Sequence, residues 1–265
     1  MAEVARSEVR VRGASGQLLH LAVDDVPPPD AASGLPPVVL VHGFASDRQV
    51  NWISPSWYRA FAEAGRRVIA FDARGHGASA KPYDPADYDE GMMAADIAFV
   101  MASLGVREAD VVGYSMGGFL GMRLAHDMPQ RVRRLVVAGV GETYFNTADP
   151  LAPRIAEGLL APSLDQVSDP VARDFRKFAD RKGTDLRPLA ACMRRPRRIF
   201  SPAELRRISV PVLVICGEKD ALTGSPVKLA QAFVKGEAVI VPNRDHMTAV
   251  GDLVTKREVV RFLSA

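Results

Sequence analysis

Short runs of β-branched and apolar residues alternate with helix-like segments along most of this chain, and this alternation constrains its fold most strongly. One complete cycle runs from the apolar stretch 109–114, through a glycine-flanked serine, to the helical stretch 116–128. Strands that alternate with helices form a mostly parallel sheet covered by helices. The sequence therefore predicts an α/β fold whose sheet has eight strands, the first two forming an antiparallel hairpin at one edge: SEVRVRG, GQLLHLAVDD, VVLVHGF, RRVIAFD, ADVVGY, RRLVVAGV, VPVLVICG and EAVIVP.

The region 141–201 interrupts this rhythm. It contains helical patterns such as DPVARDFRKFADRKG but no convincing central strand. Ligands of open α/β sheets bind beyond the carboxyl ends of the strands, which favours a small helical lid over that edge. We therefore predict a core formed by residues 1–140 and 202–265, with 141–201 as an inserted lid. The alternative is a long connection that merely carries its own helices.

Composition limits the classes of partner. A formal charge of +3 is too small to indicate nucleic acid, and no run of about 18 apolar residues predicts a membrane span. Two cysteines far apart in sequence do not form a disulfide framework or a zinc motif, and the charged N-terminus lacks a signal-peptide pattern. We expect a cytoplasmic monomer or homodimer that acts on a small molecule, without a cofactor, a metal, a nucleic acid or a membrane partner.

The pentapeptide Gly-Tyr-Ser-Met-Gly lies between a predicted strand and a predicted helix. It matches the pattern G-x-S-x-G, in which glycines permit a sharp turn that exposes the serine hydroxyl above the sheet. Here Gly113 and Gly117 flank Ser115. The alternative is a glycine-lined turn with an incidental serine.

A serine hydroxyl needs a base to accept its proton, and the base needs an acid that orients it. His246 follows the last predicted strand, and Asp220 follows the strand before it. Both loops should open at the same edge of the sheet as Ser115. The chain order Ser-Asp-His is the one expected for a serine in this strand-to-helix turn. Glu218 and Glu142 remain alternative acids.

Backbone amides that point at a developing oxyanion stabilise acyl transfer. Met116, directly after the serine, is expected to supply one amide, and Phe44, after the strand VVLV, the other. The substrate pocket is predicted to include His42, Gly43, Trp52, Tyr144 and Phe145.

Taken together, the segments VHGF, FDARGHGAS, GYSMGG, ICGEKD and RDHM resemble the α/β-hydrolase fold family, of the small bacterial esterase type. The resemblance extends over nearly the whole chain. It implies Ser115 as nucleophile, His246 as base and Asp220 as acid, with the amides of Phe44 and Met116 as an oxyanion hole. In this family the FDARGHGAS loop usually organises structure, so His76 is interpreted as structural.

Within this fold a serine nucleophile favours a hydrolase of carboxylic esters, thioesters or lactones. A serine-dependent hydrolase or lyase of carbon–carbon bonds and a binding protein without turnover are the alternatives. The arginines of RRPRRIFSPAELRR are interpreted as a solvated basic surface, although one that faced the pocket would pair with a substrate anion.

Overall fold

Eight strands form a single sheet in a computed structural model that describes residues 3–30, 34–146, 151–180, 183 and 185–265. Their spatial order is β1-β2-β4-β3-β5-β6-β7-β8. Both pairings of β2 are antiparallel and all the others are parallel. The predicted α/β sheet with an antiparallel hairpin at one edge is confirmed. Among the described strands, only β2 runs in the direction opposite to the others. The strands are β1 (Ala5–Arg12), β2 (Leu18–Val26), β3 (Val38–Val41), β4 (Val68–Phe71), β5 (Ala109–Tyr114), β6 (Val132–Ala138), β7 (Val212–Gly217) and β8 (Gly236–Val241).

Helices cover both faces because successive side chains of each strand point to opposite sides. On β3, Val39 and Val41 belong to the core beneath α2 (Glu90–Ser103) and α3 (Met116–Asp127). Val38 and Leu40 belong to the core on the other face. The continuous apolar runs of the central strands follow from this two-sided burial.

The second face is covered by α1 (Trp57–Glu63) and α9 (Leu253–Ser264). Helices α1 and α2 stop two residues before Gly65 and Gly105, whose positive φ angles of 70° and 71° a glycine adopts without strain. Within the described residues, no helix is long and apolar enough to cross a membrane.

The segment between β6 and β7 contains helices, and no strand among its described residues. Helix α4 packs against α5 and α6. The predicted helix at DPVARDFRKFADRKG is α5, which begins at a proline, as first-turn positions allow. The helices of this region are α4 (Leu151–Leu160), α5 (Pro170–Asp180), α6 (Arg187–Met193) and α7 (Pro202–Leu205), and α8 (Pro226–Ala230) follows β7.

Candidate active site

Ser115 is the single residue between the end of β5 and the start of α3. Its φ of 51° and ψ of −111° lie in a region that non-glycine residues seldom occupy. Such a conformation costs on the order of 1–3 kcal/mol and persists only where the surroundings enforce it. Here the amide of Ser115 donates to the Ala138 carbonyl of β6 at 2.7 Å, which fixes the turn against the sheet.

The two flanking glycines are required by close backbone contacts. A Cβ on Gly113 would lie 2.1 Å from the carbonyl oxygen of Gly117, and a Cβ on Gly117 would lie 2.0 Å from the carbonyl oxygen of Val41. Gly118 allows the helix to approach Val140, with a contact of 3.0 Å for an added Cβ. The sharp turn predicted from the sequence is therefore present, and the strain falls on the serine itself.

The three side chains predicted to act together form a continuous hydrogen-bonded chain. Nε2 of His246 lies 3.2 Å from Oγ of Ser115, and Nδ1 lies 2.8 Å from Oδ2 of Asp220. The other oxygen of Asp220, Oδ1, accepts from the amides of Leu222 at 3.1 Å and Thr223 at 3.2 Å. Because an ionised carboxylate only accepts, Nδ1 carries the imidazole proton and Nε2 is free to accept the serine proton.

Tyr114 holds the histidine loop, a role that the sequence analysis missed. Its hydroxyl donates to the backbone carbonyl of His246, and its ring centroid lies 5.6 Å from that of the imidazole. Burial raises the pKa of Tyr114 well above its usual value, and the hydroxyl therefore stays protonated as a donor. The pattern G-x-S-x-G accepts any residue at this position, so it carried no signal for the contact.

The alternative acids have other partners. Oε2 of Glu218 accepts from the amide of Asn243 at 2.8 Å, and Oε1 of Glu142 accepts from the amide of Ser225 at 3.4 Å. Both contacts are exposed, whereas the carboxylate that faces His246 is fully buried. The geometry thus places Asp220, and neither glutamate, beside the imidazole.

Two backbone amides near Ser115 have no hydrogen-bond partner in the described part of the chain. Among the residues that the structure describes, no hydrogen bond uses the amide of Phe44 or of Met116 as its donor. The loop before Phe44 is fixed by Gly43, whose amide donates to Oδ1 of Asn51 at 3.0 Å. Met116 is the first residue of α3, where amides lack intrahelical acceptors. Both predicted donors are therefore available to a ligand oxygen.

Two cavities meet at Ser115, and Phe44, Phe175 and His246 line both of them. The larger encloses about 300 Å³ and lies under the helices that follow β6. The smaller encloses about 90 Å³. Apart from the shared residues, the larger is lined mainly by apolar side chains: Met116, Phe119, Val140, Tyr144, Leu151, Ile155, Val171, Met193 and Leu222.

The structure corrects part of the predicted pocket. Tyr144 lines the larger cavity and Gly43 the smaller, but His42, Trp52 and Phe145 line neither. Trp52 packs edge-on against a neighbouring tryptophan on the α1 and α9 face of the sheet, and Phe145 packs edge-on against Tyr144.

His42 is fully buried and organises the backbone instead of lining a cavity. Its Nε2 accepts from the amide of Ala73 at 2.9 Å, and its Nδ1 donates to the carbonyl of Gly43 at 2.7 Å. Aromatic and imidazole side chains that follow β3 and β6 in sequence thus point into the core as readily as toward a ligand.

The arginine-rich segment also differs from the prediction of a solvated surface. Arg194 and Arg198 are exposed, and Arg198 pairs with Glu204 at 2.7 Å. Arg195, however, is buried, and both Arg195 and Arg197 line the larger cavity. The chain turns at the end of α6, so that consecutive arginines face different surroundings, which their spacing alone did not reveal.

The family assignment rests on these features together with a match over more than half of the sequence. Residues 36–180 match a family model described as alpha/beta hydrolase fold, and the chain belongs to this family. The matched range includes Ser115, whereas Asp220 and His246 lie beyond it.

Relatives within this family have several activities. The dihydrolipoyllysine-residue acetyltransferase component of the acetoin cleaving system of Pseudomonas putida is 33% identical over 228 residues, which are 80% of this chain and 58% of that protein. The 3-oxoadipate enol-lactonase 2 of Acinetobacter baylyi is 29% identical over 170 residues, 59% of this chain and 62% of the relative. The chain thus spans less than two thirds of the length of either relative. A solved structure of a hydrolase from Pseudomonas aeruginosa PA01 superposes with a TM-score of 0.78 at 26% identity, over 98% of this chain and 99% of the other.

Proposed function

We propose that this chain is a serine hydrolase that cleaves a small carboxylic ester, thioester or lactone through an acyl-enzyme on Ser115. The observation that carries the proposal is the chain of hydrogen bonds from Ser115 through His246 to Asp220, at the wall of a cavity of about 300 Å³. The similarity to an enol-lactonase supports the same class of reaction.

The proposed mechanism begins with the attack of the serine oxygen on the substrate carbonyl carbon while Nε2 of His246 takes the serine proton. Negative charge moves onto the carbonyl oxygen, where the amides of Phe44 and Met116 stabilise it. The carboxylate of Asp220 stabilises the imidazolium, which then protonates the leaving group. Water, deprotonated by the same histidine, attacks the acyl-enzyme and releases the acid. These steps require no metal and no cofactor.

We also propose that residues 141–201 act as a lid over this centre. Phe175 of α5 lies 5.9 Å from Phe44, measured between ring centroids, and lines both cavities next to Ser115. A helical cover of this kind excludes water from the acyl-enzyme and shapes the space for the substrate.

The test is covalent labelling by a fluorophosphonate, followed by mass spectrometry of the modified peptide. The wild-type protein is expected to be labelled at Ser115, and Ser115→Ala is expected to remain unlabelled while keeping its melting temperature. Ser7→Ala, at an exposed position of β1, serves as the matched control that retains the nucleophile. An unlabelled, folded wild-type protein overturns the proposal, and so does labelling that persists in Ser115→Ala.

A second candidate is the hydrolysis of a carbon–carbon bond in an acidic diketone by the same serine. The arginines that line the larger cavity favour it, because such substrates carry a carboxylate. Parallel turnover assays on aryl esters and on acidic diketones separate the two reactions. A binding protein without turnover is disfavoured by the intact hydrogen-bonded chain, and turnover that is lost in His246→Ala would dispose of that alternative.

A further inference from the structure

The charged side chains described in the wall of the larger cavity are positive. Three arginines line it, Arg154, Arg195 and Arg197, and no aspartate or glutamate is among its described lining residues. An uncharged acyl group would need none of these guanidinium groups. The positive lining therefore raises the question of which negative group it accommodates.

Two of the three arginines have partners that account for their positions. Nη1 of Arg154 pairs with Oδ2 of Asp169 at 2.8 Å. The guanidinium of Arg197, an exposed residue, stacks over the ring of Phe119 at 4.3 Å from the centroid. Arg154 thus has a carboxylate partner, whereas Arg197 is stacked on an aromatic ring, and burial followed by the charge of Arg195 lowers its pKa.

Arg195 differs from both. The residue is only 6% exposed, and in the part of the chain that the structure describes no carboxylate lies within 4 Å of its guanidinium. Its Nη1 donates to the carbonyl of Cys192 at 2.6 Å, while its Nε is buried without any hydrogen-bond partner. Burial of an unpaired guanidinium is costly, and a ligand anion is the group that best removes this cost.

This arginine is close to the reacting centre. Arg195 is hydrogen-bonded to Cys192. Sγ of Cys192 lies 4.0 Å from Sδ of Met116, the residue directly after the nucleophile. Arg195 and Ser115 also line the same cavity. An anion on Arg195 and a carbonyl on Ser115 are thus compatible with one small molecule that carries both groups a short distance apart.

We propose that Arg195 binds a carboxylate of the substrate, so that the natural substrate is a small anionic ester or lactone, such as the monoester of a short dicarboxylic acid. This inference rests on the proposed function, because it concerns the same cavity. Arg197 adds positive charge at the wall of the same cavity. The paired Arg154 is left to hold α4 to the loop before α5.

The test compares two matched pairs of substrates. In the first pair, p-nitrophenyl hydrogen glutarate and p-nitrophenyl pentanoate differ by a carboxylate in place of a methyl at the end of the acyl chain. In the second pair, the 4-carboxyphenyl and 4-carbamoylphenyl esters of butyric acid place the charge on the leaving group. We expect kcat/KM of the wild-type protein to favour the carboxylate by roughly 10- to 100-fold in one of the pairs, as loss of a charged hydrogen bond would predict.

Variants of Arg195 show whether this residue is the source of the preference. Arg195→Gln is expected to abolish the preference, so that kcat/KM for the charged and the uncharged ester of a pair become equal within about threefold, and Arg195→Lys is expected to retain part of it. Arg206→Gln is the matched control, since it removes the same charge from an exposed residue outside the cavities. The melting temperature, measured by circular dichroism, shows that each variant is folded.

The outcomes separate the two proposals. Ser115-dependent turnover without any preference for the carboxylate in either pair overturns the anion site alone. A preference that survives in Arg195→Gln overturns the assignment to this residue. Turnover that persists in Ser115→Ala overturns the proposed function. As a readout independent of turnover, glutarate is expected to bind Ser115→Ala in calorimetry at least tenfold more tightly than it binds the double variant with Arg195→Gln.

Discussion

The substitution Asp220→Asn tests the proposed catalytic chain most sharply, because the surroundings of Asp220 dictate how an asparagine would sit. Oδ1 accepts two backbone amides, from Leu222 and Thr223, and only the other oxygen faces His246. An asparagine must place its carbonyl oxygen on those two amides, since its NH₂ group cannot accept from them. The NH₂ group then points at Nδ1 of the histidine and donates to it. The imidazole proton consequently moves to Nε2, which can no longer accept a proton from Ser115.

The magnitude follows from two losses. Restoring the productive tautomer would set two donors against each other in a buried site, which costs about 1–3 kcal/mol. The imidazolium formed during attack also loses an adjacent unit charge, worth up to about 4 kcal/mol at an effective dielectric constant of 20. A combined penalty of about 4–6 kcal/mol corresponds to a rate reduction of roughly 10³- to 10⁴-fold.

The assay is the second-order rate constant for labelling of Ser115 by a fluorophosphonate, which requires the histidine as base but no knowledge of the natural substrate. The rate constant of Asp220→Asn should be lower than that of the wild-type protein by roughly 10³- to 10⁴-fold. Its melting temperature should be unchanged. The controls Glu218→Gln and Glu142→Gln should stay within threefold of the wild-type rate. A rate within tenfold of wild type for Asp220→Asn, or an equal loss in either control, refutes the reasoning.

Two further predictions concern stability. Gly117→Ala should lower the free energy of unfolding by about 3 kcal/mol, because the new methyl carbon would lie 2.0 Å from the Val41 carbonyl oxygen. The Tm in thermal denaturation should therefore fall by at least roughly 6 °C. An unchanged Tm would contradict the close contact. Burial lowers the pKa of His76 to about 3. Between that pH and about 6.5 the unfolded chain therefore binds one proton more than the folded chain, and acid destabilises the fold. Between pH 7.5 and pH 4.5 the wild-type protein should therefore lose about 2–3 kcal/mol more stability in urea titrations than His76→Asn, and parallel losses would show that His76 is not the group responsible.

The local patterns of the sequence were sufficient for the fold. Apolar runs predicted the eight strands, because hydrophobic periodicity depends on a few neighbouring positions, and glycines mark the ends of α1 and α2 for the same local reason. Local pattern is less informative at PVKLAQAFV, whose spacing is typical of one continuous helix over 226–234, whereas α8 ends at Ala230. A chain reversal is needed there, since β8 must begin at Gly236 beside Val212 of β7.

What the sequence determined by itself was the set of chemical groups and the strand ends that carry them. Ser115 is 131 positions from His246, yet both follow parallel strands, whose carboxyl ends meet at one edge of the sheet. Only the tertiary structure decided which way individual side chains face. It turned Trp52 into the core, placed the Tyr114 hydroxyl on the histidine loop and buried Arg195 beside the cavity. Those directions depend on packing between segments distant in the chain, and no local pattern encodes them.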